Sequence, residues 1–318
     1  MENRLSMSSS PHIRGDVSTS RIMLDVLIAL VPASLAGVYF FGLHAALTII
    51  ICIVSCVLFE YLSRKFLFKR SNTISDLSAA VTGLLLALNL PPALPKWMAI
   101  VGCFFAIVVI KQLFGGIGQN FINPALGARV ILLVAYGTRM TQWTAPRGFN
   151  GADAVTAATP LGILKEGGEL PGYLGMFLGN IGGSLGETSA LALIIGGIYL
   201  LVRKVITWEI PVIYIGTVAL LSWVLGPEGI FTGDPLFHIL AGGLMIGAIF
   251  MATDYTTSPM TRKGAIIFAF GCGLLTVLFR LYTNMPEGVS YAILLMNTAV
   301  PLIDRHTVPK RFGGGANA

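Results

Sequence analysis

The sequence has 318 residues, of which 55% are hydrophobic and only 11% charged, and its mean hydropathy is +0.79. A water-soluble domain carries about 25% charged residues, so water is not the solvent for most of this chain. The formal net charge of +6 is spread over the segments between apolar runs and forms no continuous basic patch, which excludes nucleic acid as a partner.

Ten apolar runs follow in chain order, at 22–42, 43–62, 76–90, 97–114, 123–137, 188–202, 208–226, 236–252, 262–281 and 288–304. They have helical length and do not alternate as barrel strands do, and backbone in hydrocarbon must be satisfied within a helix or a closed barrel. The predicted fold class is therefore all-α, a polytopic membrane helical bundle of about ten transmembrane helices in the lipid bilayer. Several runs fall near or below the roughly 17–25 residues of a full span, which predicts two or three broken or tilted helices. The first twenty residues lack an apolar core of signal-peptide type and are expected to stay on the mature chain.

Cytoplasmic segments retain Lys and Arg. Counting spans from an inside N-terminus puts most of the 21 basic residues inside, among them Arg64, Lys65 and Lys111. Lys96, Arg139, Arg147, Lys165 and Arg280 are left outside, and Arg129 falls within the fifth run. The expected location is the inner (plasma) membrane, with both termini cytoplasmic and the segment 138–187 on the outer face.

That segment divides the chain into residues 1–137, a long connection at 138–187, and residues 188–318. A connection so long inside a compact domain is usually functional, and its short apolar stretch from Tyr173 to Leu178 is expected to lie along the interface. The flanking parts are weakly repeated: one run opens from Asp76 and ends at PPALPK, another opens from Asp234 and is followed by TSPMTRK. The expectation is two five-helix repeats with a site where they meet.

Cys52, Cys56, Cys103 and Cys272 all lie in apolar runs without a CxxC pair, and read as helix-packing residues rather than ligands of a metal or cluster. In the connection, Gly151 to Leu161 offers two hydroxyls three apart, an acid nearby and little bulk. This pattern suits either a large attached group or a capping turn in which Thr156 opens a short helix with Pro160 early in it. Asp25, Asp254 and Asp304 are functional candidates because an ionisable group at membrane depth is costly. The competing reading puts each at a helix end, capping or paired with Arg21, Arg262 or Arg305. Glu60 and Glu209, beside basic segments, read as interfacial.

The connection resembles the flavin attachment motif, D-x-x-[ST]-G-A-T, of the Rnf complex's D-type protein and of the B-type protein of the sodium-pumping NADH:quinone reductase. Asp153, Thr156, Ala158, Thr159 and the following Pro160-Leu161 match, while Ala157 stands where the pattern has Gly. The opening SSSPHIRGDVSTSRIMLDVLIALVPA and the stretch GGIGQNFINPALGARV at 115–130 resemble the same family, so the likeness covers essentially the whole chain.

The resemblance implies FMN joined to Thr159 by a phosphoester, put there by a flavin transferase, and a second, noncovalent flavin (riboflavin or FMN) near Asn120 and Asn123. For those two amides the competing reading is a helix break satisfied inside a cavity. It also implies that Asp254 and Asp304 occupy positions implicated in cation uptake, and that electron transfer between ferredoxin and NAD drives Na+ or H+ translocation. The chain has no Rossmann fingerprint and no iron-sulfur ligand set, so ferredoxin and NAD fall to partner proteins of the Rnf A, B, C, E and G types. Two alternatives stand beside this one: the quinone reductase B-type protein, and a flavin-free channel of the urea-transporter architecture.

Overall fold

Each apolar run is helical in the computed structural model, which describes residues 18–69, 73–146, 157–226, 229–283 and 288–308. Helix α1 (Thr19–Phe41) is opened by the Ser18 hydroxyl, which accepts from Arg21 N. It stops at Gly42, whose φ of 70° turns the chain directly into α2 (Leu43–Leu62). On α1 the exposed Leu24, Ile28, Val31 and Leu35 recur at helical spacing, while Ala29, Leu30 and Ala33 are buried on the opposite side. An apolar outer stripe of this kind is a lipid-facing surface.

Helix α3 (Ser78–Leu88) has 11 residues, every one of them buried. At about 1.5 Å per residue it is roughly 16 Å long, half of the bilayer's hydrocarbon thickness, so it is a half-helix inside the bundle. Asp76 holds its start, Oδ1 accepting from Ser78 N at 2.8 Å and Ser78 Oγ at 2.6 Å, and the prolines at 91, 92 and 95 prevent its continuation. Helix α4 (Lys96–Phe104) runs on as π-helical turns over Phe105–Gln112. The chain then unwinds through Gly115, Gly116 and Gly118, at φ of 120°, 98° and 85°, angles that a residue with a Cβ rarely adopts. Asn123 restarts it as α5 (Pro124–Ala135).

The described part of the long connection is partly helical. It contains α6 (Gly137–Met140), α7 (Pro160–Glu166) and α8 (Tyr173–Leu178), the last over the very stretch expected at the interface. Residues 181–190 are buried. There Leu185 N donates to Leu90 O at 3.2 Å and Gly186 N to Leu88 O at 2.7 Å, satisfying carbonyls that the end of α3 leaves open. A methyl group at Gly186 would lie 2.7 Å from Leu88 Cβ, so this approach requires glycine.

The second half comprises α9 (Ala190–Val202), α10 (Glu209–Val224), a two-residue hairpin pairing Leu225–Gly226 with Gly229–Ile230, and α11 (Pro235–Leu240). It continues with α12 (Leu244–Ile246), which passes into buried π-helical turns over Gly247–Met251, then α13 (Arg262–Tyr282) and α14 (Gly288–Thr307). Among the described residues, three helical stretches are long and apolar enough to cross a membrane, Thr19–Phe41, Leu43–Leu67 and Arg262–Tyr282. Shorter apolar helices are Ser78–Leu88, Pro124–Ala135, Ala190–Val202 and Glu209–Val224, and the α11–α12 segment is interrupted at 241–243. The four cysteines are fully buried among the helices.

Candidate functional site

A cavity opens where the broken elements meet, with an empty volume of about 740 Å³ including its mouth. Its walls come from α1, α3, the π-helical end of α4, the unwound 113–123 segment and the turn after Met251. Val26, Val81, Leu85 and Phe250 make it largely apolar, and Lys111, Asn120, Asn123 and Asp254 supply the polar groups. Apolar walls with a few convergent polar side chains are the usual makeup of a small-molecule site.

The two asparagines differ in role. Asn123 caps α5, Oδ1 accepting from Ala125 N at 3.0 Å and Leu126 N at 3.3 Å, while Nδ2 donates to Met251 O at 3.3 Å. Asn297 of α14, its amide oriented to suit both neighbours, accepts from Asn123 N at 3.1 Å and donates to Thr257 O at 3.1 Å. Asn120 is buried and its Oδ1 has no hydrogen-bond partner, which is costly unless something else fills the role. Asp254 is partly buried, and its carboxylate accepts from Thr256 Oγ1 at 3.1 Å and Thr257 Oγ1 at 3.3 Å.

Three of the site residues singled out in the sequence, Asn120, Asn123 and Asp254, therefore converge on one cavity, and the other two acids do not. Asp25 lies between α1 and α9, bonded to Tyr199 and Arg203 rather than to Arg21. Asp304 accepts from Met260 N at 3.2 Å, tying α14 to the turn before α13, and not from Arg305.

Thr159 lies in a second, smaller pocket of about 280 Å³, with Gly182, Gly183, Glu187 and Gly242 around it. It is buried, and it is Thr159, with Pro160 following, that caps α7, Oγ1 accepting from Gly162 N at 3.2 Å. A methyl at Gly182 would stand 3.1 Å from Ala157 Cβ and 3.3 Å from Ala158 O. Gly182 thus makes room for the Ala157 methyl. Asp153 and Thr156 lie outside the described residues.

Five buried charged side chains have partners that the sequence does not show. Lys111 Nζ donates to Glu60 Oε2 at 2.8 Å, both side chains at most 2% exposed, so Glu60 near the end of α2 is paired within the bundle. Arg129 bonds Asn89 Oδ1 at 2.8 Å and Glu187 Oε1 at 3.4 Å. Arg280 donates to the carbonyls of His238 and Ala241, in the stretch just before the smaller pocket's Gly242. Glu209, by contrast, stays at a helix start, held by the exposed Arg262.

Half-helices, unwound segments and the polar groups gathered there define a polytopic membrane protein built around interior sites. The chain belongs to the NQR2, RnfD, RnfE family, which matches residues 6–313. It is 51% identical over 323 residues to the D component of the proton-translocating ferredoxin:NAD(+) oxidoreductase complex of Clostridium ljungdahlii, covering 98% of this chain and 97% of that one. It is 50% identical over 316 residues to the D component of the Na(+)-translocating ferredoxin:NAD(+) oxidoreductase complex of Acetobacterium woodii, covering 98% and 96%. Against the D component of the ion-translocating oxidoreductase complex of Stutzerimonas stutzeri the identity is 41% over 332 residues, covering 94% and 93%.

Proposed function

We propose that the chain is the membrane-embedded D component of a ferredoxin:NAD oxidoreductase whose electron transfer drives ion translocation. In this reading it carries FMN on Thr159 as a phosphoester, holds a second, noncovalent flavin in the larger cavity, and contributes Asp254 to the ion path. Relatives named for proton and for sodium translocation match about equally, so the proposal covers either cation. The other Rnf proteins handle ferredoxin and NAD, and a flavin transferase attaches the FMN.

The convergence of Asn120, Asn123 and Asp254 on one apolar cavity carries this reading. The unpartnered Asn120 Oδ1 is an acceptor for a ring N–H, and the neighbouring Val, Leu and Phe walls suit a flat aromatic ring system. At the smaller pocket, glycines 182, 183 and 242 leave room beside the Thr159 hydroxyl, and Arg280 lies behind Gly242 to offset a phosphate's charge. When bound, the flavins supply one- and two-electron redox chemistry, and the protein supplies position and electrostatics.

Two further readings belong to the proposal. Residues 1–137 and 188–318 form two five-helix repeats, supported by the buried broken helices in each, α3 and α12. Both termini are cytoplasmic and Thr159 faces outward, supported by the distribution of Lys and Arg. The test is the intact mass and in-gel flavin fluorescence of the chain purified from a host containing the transferase. The expected result is a covalent FMN adduct mapping to the peptide with Thr159. An unmodified chain, or a flavin mapped to Thr156, would sink the assignment.

A further inference from the structure

Lys111 is a fully buried cation whose ammonium has three N–H donors. Two are used, on Glu60 Oε2 at 2.8 Å and on Ser78 Oγ at 2.6 Å. The residue also lines the larger cavity, on the same wall system as Asn120 with its orphaned carbonyl oxygen and Asp254. One donor and one acceptor, both on buried side chains, are therefore left over at this cavity.

The pair does not end at Glu60. Thr73 Oγ1 donates to Glu60 Oε1 at 2.8 Å and itself accepts from Arg64. Ser78 Oγ in turn donates to Asp76 Oδ1 at 2.6 Å. A continuous set of hydrogen-bonded groups thus runs from the cavity wall through Lys111 and Glu60 to the segment joining α2 and α3, where Arg64, Thr73 and Asp76 are less buried. The charged groups facing Lys111 are Glu60 from α2 and Asp254 across the cavity, with Asp76 one hydrogen bond beyond Ser78 and Arg64 two beyond Glu60 through Thr73.

A buried ion pair with no task is weak evidence of stabilisation, since apolar residues of the same volume often do as well. We propose that Lys111 is the internal proton donor of the cavity and that Glu60 returns the proton to it from the edge carrying Arg64 and Asp76. The proposal rests on the reading of the cavity as a flavin site. An electron delivered by a redox partner protein adds one negative charge to the ligand. The Lys111 ammonium gives one proton to that ligand and becomes an amine; Glu60 then passes on one proton taken from water at the edge, restoring the ammonium. One electron and one proton enter the cavity in net, and no charge is left uncompensated in a medium of low dielectric.

The experiment uses the purified complex with Lys111→Met, Lys111→Arg or Glu60→Gln, and measures noncovalent flavin content, the midpoint potential of that flavin, and the rate of its reduction against pH and in heavy water. Lys111→Met should make the potential more negative, because a stabilising cation is gone, and slow the reduction. Lys111→Arg keeps the charge but cannot release a proton at these pH values. It should therefore hold the potential near wild type while still slowing the reduction and altering its pH profile, a combination that a purely structural role would not produce. Glu60→Gln should slow it as well, and serves if Lys111→Met fails to assemble. Wild-type reduction rate and pH profile in Lys111→Arg and Glu60→Gln, with flavin bound, would overturn the role of Lys111 alone. A wild-type complex with no noncovalent flavin bound to this chain would instead overturn the flavin reading beneath it.

Discussion

Asp25 and Arg203 are joined across 178 positions, the guanidinium Nε and Nη2 each donating to a different carboxylate oxygen at 3.3 Å. Tyr199, one turn earlier on α9, adds a third bond at 2.8 Å. All of the carboxylate's strong partners are thus protein groups, and they hold α1 to α9. Asp25→Asn is predicted to lower the stability of the complex by about 1–2 kcal/mol, near the low end for hydrogen bonds to charged groups because Arg203 is partly exposed. Ions moved per electron should stay at the wild-type value. Thermal unfolding run beside ion uptake by proteoliposomes checks both, and a changed stoichiometry would return Asp25 to the ion path.

Thr159 unites a structural and a chemical part in one hydroxyl, and the two separate by substitution. Asparagine is a good N-cap, so Thr159→Asn should leave the thermal midpoint close to wild type while abolishing covalent flavin. Thr159→Ala should abolish the flavin and also cost about 1 kcal/mol for the lost cap. Thr156→Ala should retain the adduct. In-gel fluorescence and thermal unfolding of the three variants decide the matter; covalent flavin surviving in Thr159→Asn would mean that the attachment point is elsewhere.

The bundle was legible because hydrocarbon leaves the backbone no choice: an apolar run of helical length must become helix, and all ten did. Which runs would stop half-way was visible only as short length and Pro or Gly flanks, as at PPALPK after α3. The cavity was legible in part, through Asn120, Asn123 and Asp254. Lys111 and Glu60 were not, because hydropathy assigns a charge at the edge of a run to the nearest loop, whereas these two pair inside the protein across 51 positions. Glu187 and Arg280 were missed for the same reason, while Arg129, read within the fifth run, has its partners Asn89 and Glu187 far along the chain. Spacing along the chain carries no signal for partners that only packing brings together.

Asp254 and Asp304 looked alike in the sequence and differ in place. Asp304 is bonded to a backbone N–H at the surface turn, so Asp304→Asn is predicted to change stability by no more than about 1 kcal/mol and to leave transport unchanged. Asp254 lines the cavity beside two threonine hydroxyls, oxygen ligands of the kind that a hard cation prefers. Asp254→Asn should lower ions moved per electron, or slow turnover at low cation concentration, with covalent flavin intact. Proteoliposome uptake beside flavin quantification is the assay, and equal behaviour of the two variants would remove the distinction.

The two cavity asparagines give the sharpest separation of fold from ligand. Asn123 is spent on structure: it caps α5 and reaches Met251 O, and its backbone N–H is taken by Asn297. Asn123→Ala removes the cap and leaves a buried carbonyl without its donor, a loss of roughly 2–4 kcal/mol when a cap of about 1 kcal/mol is added to an unsatisfied group of about 1–3 kcal/mol. Asn120 gives the fold little, because its Oδ1 is buried without a partner, and Asn120→Ala deletes that liability. The flavin-free protein should therefore be as stable as wild type or slightly more so in Asn120→Ala, and clearly less stable in Asn123→Ala. Noncovalent flavin content should fall in Asn120→Ala even though the bundle is intact, because an acceptor at the cavity wall has gone. Thermal unfolding measured with and without added riboflavin reads both effects. A wild-type flavin complement and a wild-type riboflavin-induced shift in Asn120→Ala would show that this amide faces no ligand.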